Sequence, residues 1–250
     1  MTEKKSPRLR NVDKIKPPYP LNKFPENFGF CVGREIVYLL ATKGNSTLEG
    51  EEWEEIFATC IGAEWKPSNV GLDDVVLSEC AWGAKTVKAN VPSKQKNVRL
   101  ISGRNSIDYS YGESSSNDTN PNHLGNLVLT IWNERVSAIR KLHKHVRTIV
   151  LIKSHNLEEV AIFEFDTIRH EPDLFYWEWN KNKNLEGFEI TTKIHRFTWQ
   201  RHGSQFTIVE EVPDDCLIIK IKTPAKFDKE RVLKGIGFDE TWVTVIKRNA

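Results

Sequence analysis

Two adjacent aspartates, Asp73 and Asp74, open the short β-branched run GLDDVVL, and two lysines, Lys85 and Lys88, stand in the next such run, WGAKTVKANV. An acidic stretch holding Glu49, Glu51, Glu52, Glu54 and Glu55 comes just before them. Carboxylates are hard oxygen ligands, and one or two of them plus a phosphate oxygen are what Mg2+ takes. A lysine beside such an ion can hold a phosphate oxygen or orient the attacking water. The residue types therefore suit metal-assisted hydrolysis of a phosphodiester. Taken singly, each has a plainer use, since aspartates start strands and turns and lysines solvate a strand face. Their order along the chain is what carries the chemistry.

These groups meet only if neighbouring strands bring them together, and adjacent strands lie about 5 Å apart. Residues 70–77 and 82–91 read as two antiparallel strands joined by Ser78-Glu79-Cys80. Lys85 and Lys88 are three positions apart and face opposite sides of a regular strand, so one of them reaches the site. Asp74 and Lys85 are the fixed points. The second carboxylate is open among Glu79 in the link, Glu54 or Glu55 on the preceding helix, and Glu134 further on. That preceding helix, EEWEEIFATCIGA, shows Trp53, Ile56, Phe57 and Cys60 at helical spacing, with Ser46 or Thr47 as its cap.

The remaining chain supplies the rest of an α/β framework. A buried helix is expected over 28–44, a strand over 97–103, a long polar loop over 104–123 and a helix over 124–145. A hairpin of 147–154 and 159–166 turns at His155-Asn156-Leu157. Residues 173–211 alternate aromatic with polar side chains, 216–222 read as a strand, and DKERVLKGIGF closes the chain as a helix.

With 36 Lys and Arg against 34 Asp and Glu, the formal charge is +2, which excludes a uniformly basic polyanion binder of the histone type. It leaves open a chain that segregates its charge, because a groove needs local potential and not a positive total. Bases gather over residues 1–27, which read as an extended arm, along the helix up to Arg147, and over 193–202. Residues 28–250 are expected to form one domain. No apolar run reaches the roughly 20 residues of a membrane span. The basic N-terminus has no apolar segment after it and does not read as a secretory signal, so a cytoplasmic protein is expected. Cys31, Cys60, Cys80 and Cys216 form no CxxC pair, and the expectation is reduced, mostly buried thiols without zinc.

The run from Gly50 to Lys88 resembles the PD-(D/E)xK nuclease core, through the helix start Gly50-Glu51-Glu52-Trp53-Glu54, the aspartate strand GLDDVVL and the lysine strand AWGAKTVK. With its aromatic and basic C-terminal half, the chain resembles a bacterial type II restriction endonuclease. It departs from the pattern where the residue two before the lysine should be acidic, having Gly83 before Lys85 and Thr86 before Lys88. The resemblance implies a central mixed β-sheet flanked by helices, with β-rich C-terminal recognition elements in 104–123 and 173–211. It implies Mg2+ held by Asp74 with Asp73 or Glu54, and catalysis by Asp74 and Lys85 with Glu54, Glu79 or Lys88 in support. It further implies double-stranded DNA as substrate, a homodimer, and a cognate DNA methyltransferase as genetic partner.

Base edges are read chiefly by Arg on guanine and Asn or Gln on adenine. Arg104, Asn105 and Ser106 open the long loop, and Arg196, Gln200, Arg201, His202, Ser204 and Gln205 cluster in HRFTWQRHGSQF. Phosphate contacts are expected from Arg140, Lys144, Lys181 and Lys183. The competing reading of that cluster is a hairpin whose Phe197, Trp199 and Phe206 cover the core. For the whole chain the alternative is a non-catalytic nucleic-acid-binding module whose C-terminal aromatics stack bases.

Overall fold

The computed structural model describes residues 15–43, 45–66, 71–113 and 119–246. Residues 1–14, the first half of the expected arm, lie outside the described residues, as does Val70 at the start of the expected aspartate strand. In chain order the helices and strands are α1 (Phe28–Thr42), α2 (Gly50–Ile61), β1 (Glu64–Trp65), β2 (Val75–Leu77), β3 (Cys80–Lys88), β4 (Asn97–Arg104), α3 (Ile107–Tyr111) and α4 (Pro121–Arg140). There follow β5 (His145–Lys153), β6 (Glu159–Asp166), β7 (Phe175–Trp179), β8 (Leu185–Glu189), β9 (His195–Gln200), β10 (Gln205–Glu211), β11 (Leu217–Lys220) and α5 (Lys229–Gly235).

Helix α1 buries Phe28, Val32, Ile36 and Leu40, a stripe of every fourth residue. Helix α2 starts on a capping box in which the Glu49 and Glu52 side chains bond each other's backbone, so neither Ser46 nor Thr47 caps it. It stops at Gly62, whose φ of +67° is the left-handed conformation that glycine adopts at least cost. Helix α4 begins three residues before the expected start, where Asn120 accepts from the Asn122 and His123 amides and Pro121 takes the first turn. It ends at Arg140, and His145 already belongs to β5.

The first sheet is mixed, in the order β1-β2-β3-β5-β6-β11. Its one parallel pair is β3 with β5, from Cys80 opposite His145 to Lys88 opposite Lys153, and its other neighbours are antiparallel. Strand β4 leaves this sheet for a second, antiparallel one in the order β4-β10-β9-β8-β7. The reason is visible in β5. Its residues alternate between two buried faces, so Ile149 and Leu151 meet Trp53, Phe57 and Trp82 below, while Val150 and Ile152 meet Val98 and Leu100 of β4 above. Helices α1 and α2 thus cover one face of the first sheet. Helix α4 and the second sheet cover the other, through Leu124, Val128 and Trp132 against Trp177, Phe197 and Trp199. Gly125 is required in α4, since a Cβ there would stand 2.2 Å from the Trp177 ring.

The described part of the arm is not free. Tyr19 is buried and stacks on Trp82 with centroids 6.1 Å apart. The Asn22 side chain bridges the Glu164 backbone in both directions, at 2.9 and 2.7 Å. Under it lies a buried ion pair, Arg147 Nη1 to Glu164 Oε1 at 2.9 Å, with Trp82 Nε1 donating to the other carboxylate oxygen at 2.8 Å. Arg147 is therefore a core residue and no part of a basic surface. The four cysteines are free thiols, of which Cys80 alone is buried. Among the described residues no helix is long and apolar enough to cross a membrane.

Candidate active site and nucleic-acid interface

Asp74 ends the loop that leads into β2 and is only 3% exposed. Its Oδ2 accepts from the Ala84 amide of β3 at 3.2 Å, which holds the carboxylate against that strand beside Lys85. Burial pushes the Asp74 carboxyl up to about 6; the Lys85 charge opposes that rise, while Glu54 and Asp73 add to it. Lys85 is held down from the ordinary lysine value by burial, against the pull of Asp74 and Glu54. Its ammonium donates to the Gly71 carbonyl at 3.3 Å. Glu54 comes from α2, where its Oε2 accepts from Trp65 Nε1 of β1 at 3.1 Å. One helix, one loop and one strand thus converge their charges on one spot.

The missing acid two before Lys85 has a steric cause. The loop backbone passes over β3 at Gly83, and a Cβ there would stand 2.6 Å from the Gly71 oxygen and 3.1 Å from Leu72 Cα. Any side chain at this position would displace the loop that positions Asp74.

Asp73 lies next to Asp74, and its Oδ1 is buried with no hydrogen-bond partner. An orphaned buried carboxylate oxygen beside a second, desolvated carboxylate suits a hard cation. Among the described residues no group of three or more His, Cys, Asp or Glu side chains stands ready to cage a metal. A hard cation here would have Asp74 with Asp73 or Glu54 as its protein donors and would take most of its oxygens from water and phosphate.

The other expected site residues stand elsewhere. Glu79 sits in the β2–β3 turn, roughly 20 Å along the strand from Lys85 at about 3.3 Å per residue, and does not join the site. Lys88 is exposed at the far end of β3, in register with Lys153. Glu55 is exposed and lines a groove with Glu35 and Glu52, while Glu134 is exposed on α4.

The two expected recognition segments do come together. In the second sheet Gln205 pairs with Arg104 on one side and with Gln200 on the other, and the Asn105 amide donates to the Ser204 carbonyl at 2.8 Å. Arg201 and His202 are exposed in the tight β9–β10 turn, where Gly203 has φ +78°. Arg104 is exposed beside them, and Gln200, Ser204 and Gln205 are half-buried.

Three of the expected readers are otherwise engaged. Asn105 is wholly buried; its Nδ2 donates to Val128 O at 2.9 Å, and its carbonyl accepts from Trp199 Nε1 at 2.9 Å. It joins sheet to helix and cannot reach a base. Ser106 caps α3 by accepting from the Tyr109 amide. Arg196 forms ion pairs with Glu189 at 3.4 Å and Glu210 at 3.5 Å. Phe197, Trp199 and Phe206 are core residues. On α4, Arg140 donates to Thr167 O at 2.8 Å, and Lys144 is exposed after the helix. Lys181 and Lys183 are exposed in the β7–β8 turn.

Two residues stand out that spacing alone did not single out. Arg135 turns inward from α4, with Nη1 donating to Ser102 O at 2.5 Å and to Asn105 Oδ1 at 3.2 Å. Its charge also depresses Lys85, so it stands between the recognition end and the candidate site. Gly103 was the available signal, because a Cβ there would meet the Arg135 guanidinium at 2.5 Å. Tyr109 is 92% exposed on α3, inside the segment read as a loop. Comparisons with protein-family models, with curated proteins and with solved structures find no match to this chain.

Proposed function

We propose that this chain is a Mg2+-dependent endonuclease that cleaves double-stranded DNA at a specific sequence, in the manner of a type II restriction enzyme with a PD-(D/E)xK core. One observation carries the reading: a carboxylate buried at 3% exposure, Asp74, is held by the β3 backbone beside the half-buried Lys85 and within the field of a glutamate from α2. A desolvated acid within the field of a partly buried lysine is costly to maintain, and such sites cluster where chemistry is done. A bound Mg2+ would supply charge stabilisation of the phosphoryl oxygens and a more acidic water. Lys85, released from the Gly71 carbonyl, holds a non-bridging phosphate oxygen. Asp74, with Asp73 or Glu54, presents the carboxylate oxygens that would hold the ion. Arg104, Arg201, His202, Gln200 and Gln205 form the face that meets the DNA, and Arg135 adds positive potential between that face and Lys85.

The alternative, a non-catalytic nucleic-acid-binding module, draws on Gly83 in place of an acid and on the absence of a three-ligand group among the described residues. Digestion of a fully sequenced DNA with Mg2+, followed by run-off sequencing of the ends, separates the two. The nuclease reading expects discrete cuts that Asp74→Ala and Lys85→Ala each abolish while DNA binding survives. DNA left intact by the unaltered protein at low salt, yet bound by it, leaves the binding module standing.

A further inference from the structure

The two helices that cover one face of the first sheet lie antiparallel. At one end Lys43 Nζ meets Glu52 Oε1 at 2.7 Å, and at the other Phe28 packs edge-on against Phe57 with centroids 5.9 Å apart. Cys31 stands three residues after Phe28 on α1, and Cys60 three residues after Phe57 on α2. Residues three apart share a helix face, so the aromatic contact carries the two thiols towards each other. They meet: both are half-buried, and the Cys31 thiol lies within hydrogen-bond reach of Cys60. Both also line one open groove of about 470 Å³, together with Asn27, Phe30 and Arg34. The two thiols are not equivalent. Burial, with the neighbouring Cys31 thiol adding to it, pushes the Cys60 thiol up. Cys31 sits in the first turn of α1, its amide on Asn27 O at 2.9 Å, and Arg34 follows it one turn later at the groove.

We propose that Cys31 and Cys60 are a redox-active dithiol, which a low-molecular-weight disulfide entering the groove oxidises to an intramolecular disulfide tying α1 to α2. The Cys31 thiolate attacks one sulfur of the small disulfide, forming a mixed disulfide and expelling one small thiol. Cys60 then attacks Cys31 Sγ, expels the second small thiol and gives up its proton to it. One small disulfide and two protein thiols thus become one protein disulfide and two small thiols, and atoms and electrons balance. Burial makes Cys60 a poor thiolate towards an oxidant in solution. It suits the second step, where the sulfur under attack is already its neighbour, and a reacting cysteine beside a resolving one is the arrangement of redox sensors. The new bond closes the chain from Cys31 to Cys60 and fixes the helix that carries Glu54 against α1.

The inference does not depend on nuclease activity, and its test uses no DNA. The folded full chain is held in millimolar oxidised glutathione, its remaining thiols are blocked, and the cysteine peptides are mapped by mass spectrometry. A linked Cys31–Cys60 peptide is expected, with the buried Cys80 left free. Cys60→Ser should stop at a mixed disulfide on Cys31, and Cys31→Ser should leave Cys60 unmodified. The link should raise the urea midpoint of the chain by about 1 M, and dithiothreitol should reverse the gain. Cys31 and Cys60 both free after the probe overturn the proposal. So does glutathione that stays on Cys31 of the unaltered chain, or a link that forms only once urea has unfolded it.

Discussion

A Cβ on Gly83 would stand 2.6 Å from the carbonyl oxygen of Gly71, so the loop that presents Asp74 rests directly on β3 at the position, two before Lys85, where an acid is expected. Restoring that acid should therefore harm this protein. Gly83→Glu is expected to lower stability by about 1–3 kcal/mol, the usual cost of overpacking, and to leave cleavage no faster than before. Thermal unfolding followed by circular dichroism, with a cleavage assay alongside, checks both parts. An unchanged melting temperature together with faster cutting would show that the loop yields easily and that the acid is simply absent.

Asp74 predicts an unusual pH dependence of stability. Its carboxyl is raised to about 6 by burial from an unfolded value near 3.8, so the folded state binds the proton more tightly than the unfolded chain does. Stability then falls as pH rises from about 4 through 6, by up to roughly 3 kcal/mol, and stays lost above that. Asp74→Asn removes the loss. The variant should be more stable than the parent at pH 8 and equal to it near pH 4, in urea titrations without divalent ions. Millimolar Mg2+ should stabilise the parent at pH 8 and leave the variant unmoved.

His170 works in the opposite direction. Burial lowers it to about 4, with Arg196 adding to the effect, while its ring lies edge-on against Phe175 and Phe197. The folded state holds the neutral imidazole, so stability contributed by His170 is present above the unfolded value of 6.5 and is lost as pH falls towards 4. His170→Phe keeps the aromatic packing and removes the titration. Between pH 7 and pH 5 the parent should lose about 2 kcal/mol relative to this variant. Parallel urea midpoints at the two pH values would refute the assignment.

Asn105 and Arg201 lie close in the fold but predict different defects. Asn105→Ala removes a buried donor to Val128 and a buried acceptor of Arg135, and should cost on the order of 2–4 kcal/mol of stability. Arg201→Ala touches an exposed side chain and should leave stability unchanged. Its effect belongs to DNA binding, where losing an arginine on a guanine edge costs about 1–3 kcal/mol of discrimination against the wrong base. Fluorescence anisotropy with the cognate sequence and a singly changed one measures it. If Arg201→Ala binds both as the parent does, the β9–β10 turn is not on the DNA.

Much of this is legible in local pattern alone. The spacing of Phe28, Val32, Ile36 and Leu40 determines α1, the short continuous apolar run in EVAIFEFD marks β6, which is buried on both faces, and the order of Asp74, Lys85 and the α2 glutamates marks where charges would meet. Turn chemistry was harder to see: Glu49 and Glu52 cap α2 instead of Ser46 or Thr47, and α3 hides in a segment whose composition reads as loop. Partnership over distance was not legible. Asn105 and Arg196 have the residue types of base readers, yet tertiary packing consumes their hydrogen bonds and charges in the core and in ion pairs. Glu79 is near Asp74 in sequence and far from it along the hairpin, whereas Glu54, twenty residues earlier than Asp74, shares its field. Periodicity reports which face of an element is apolar, because that depends only on neighbours along the chain. Which polar groups remain free for chemistry depends on what the rest of the fold lays over them, and here the Gly71 loop, α4 and the second sheet make that choice.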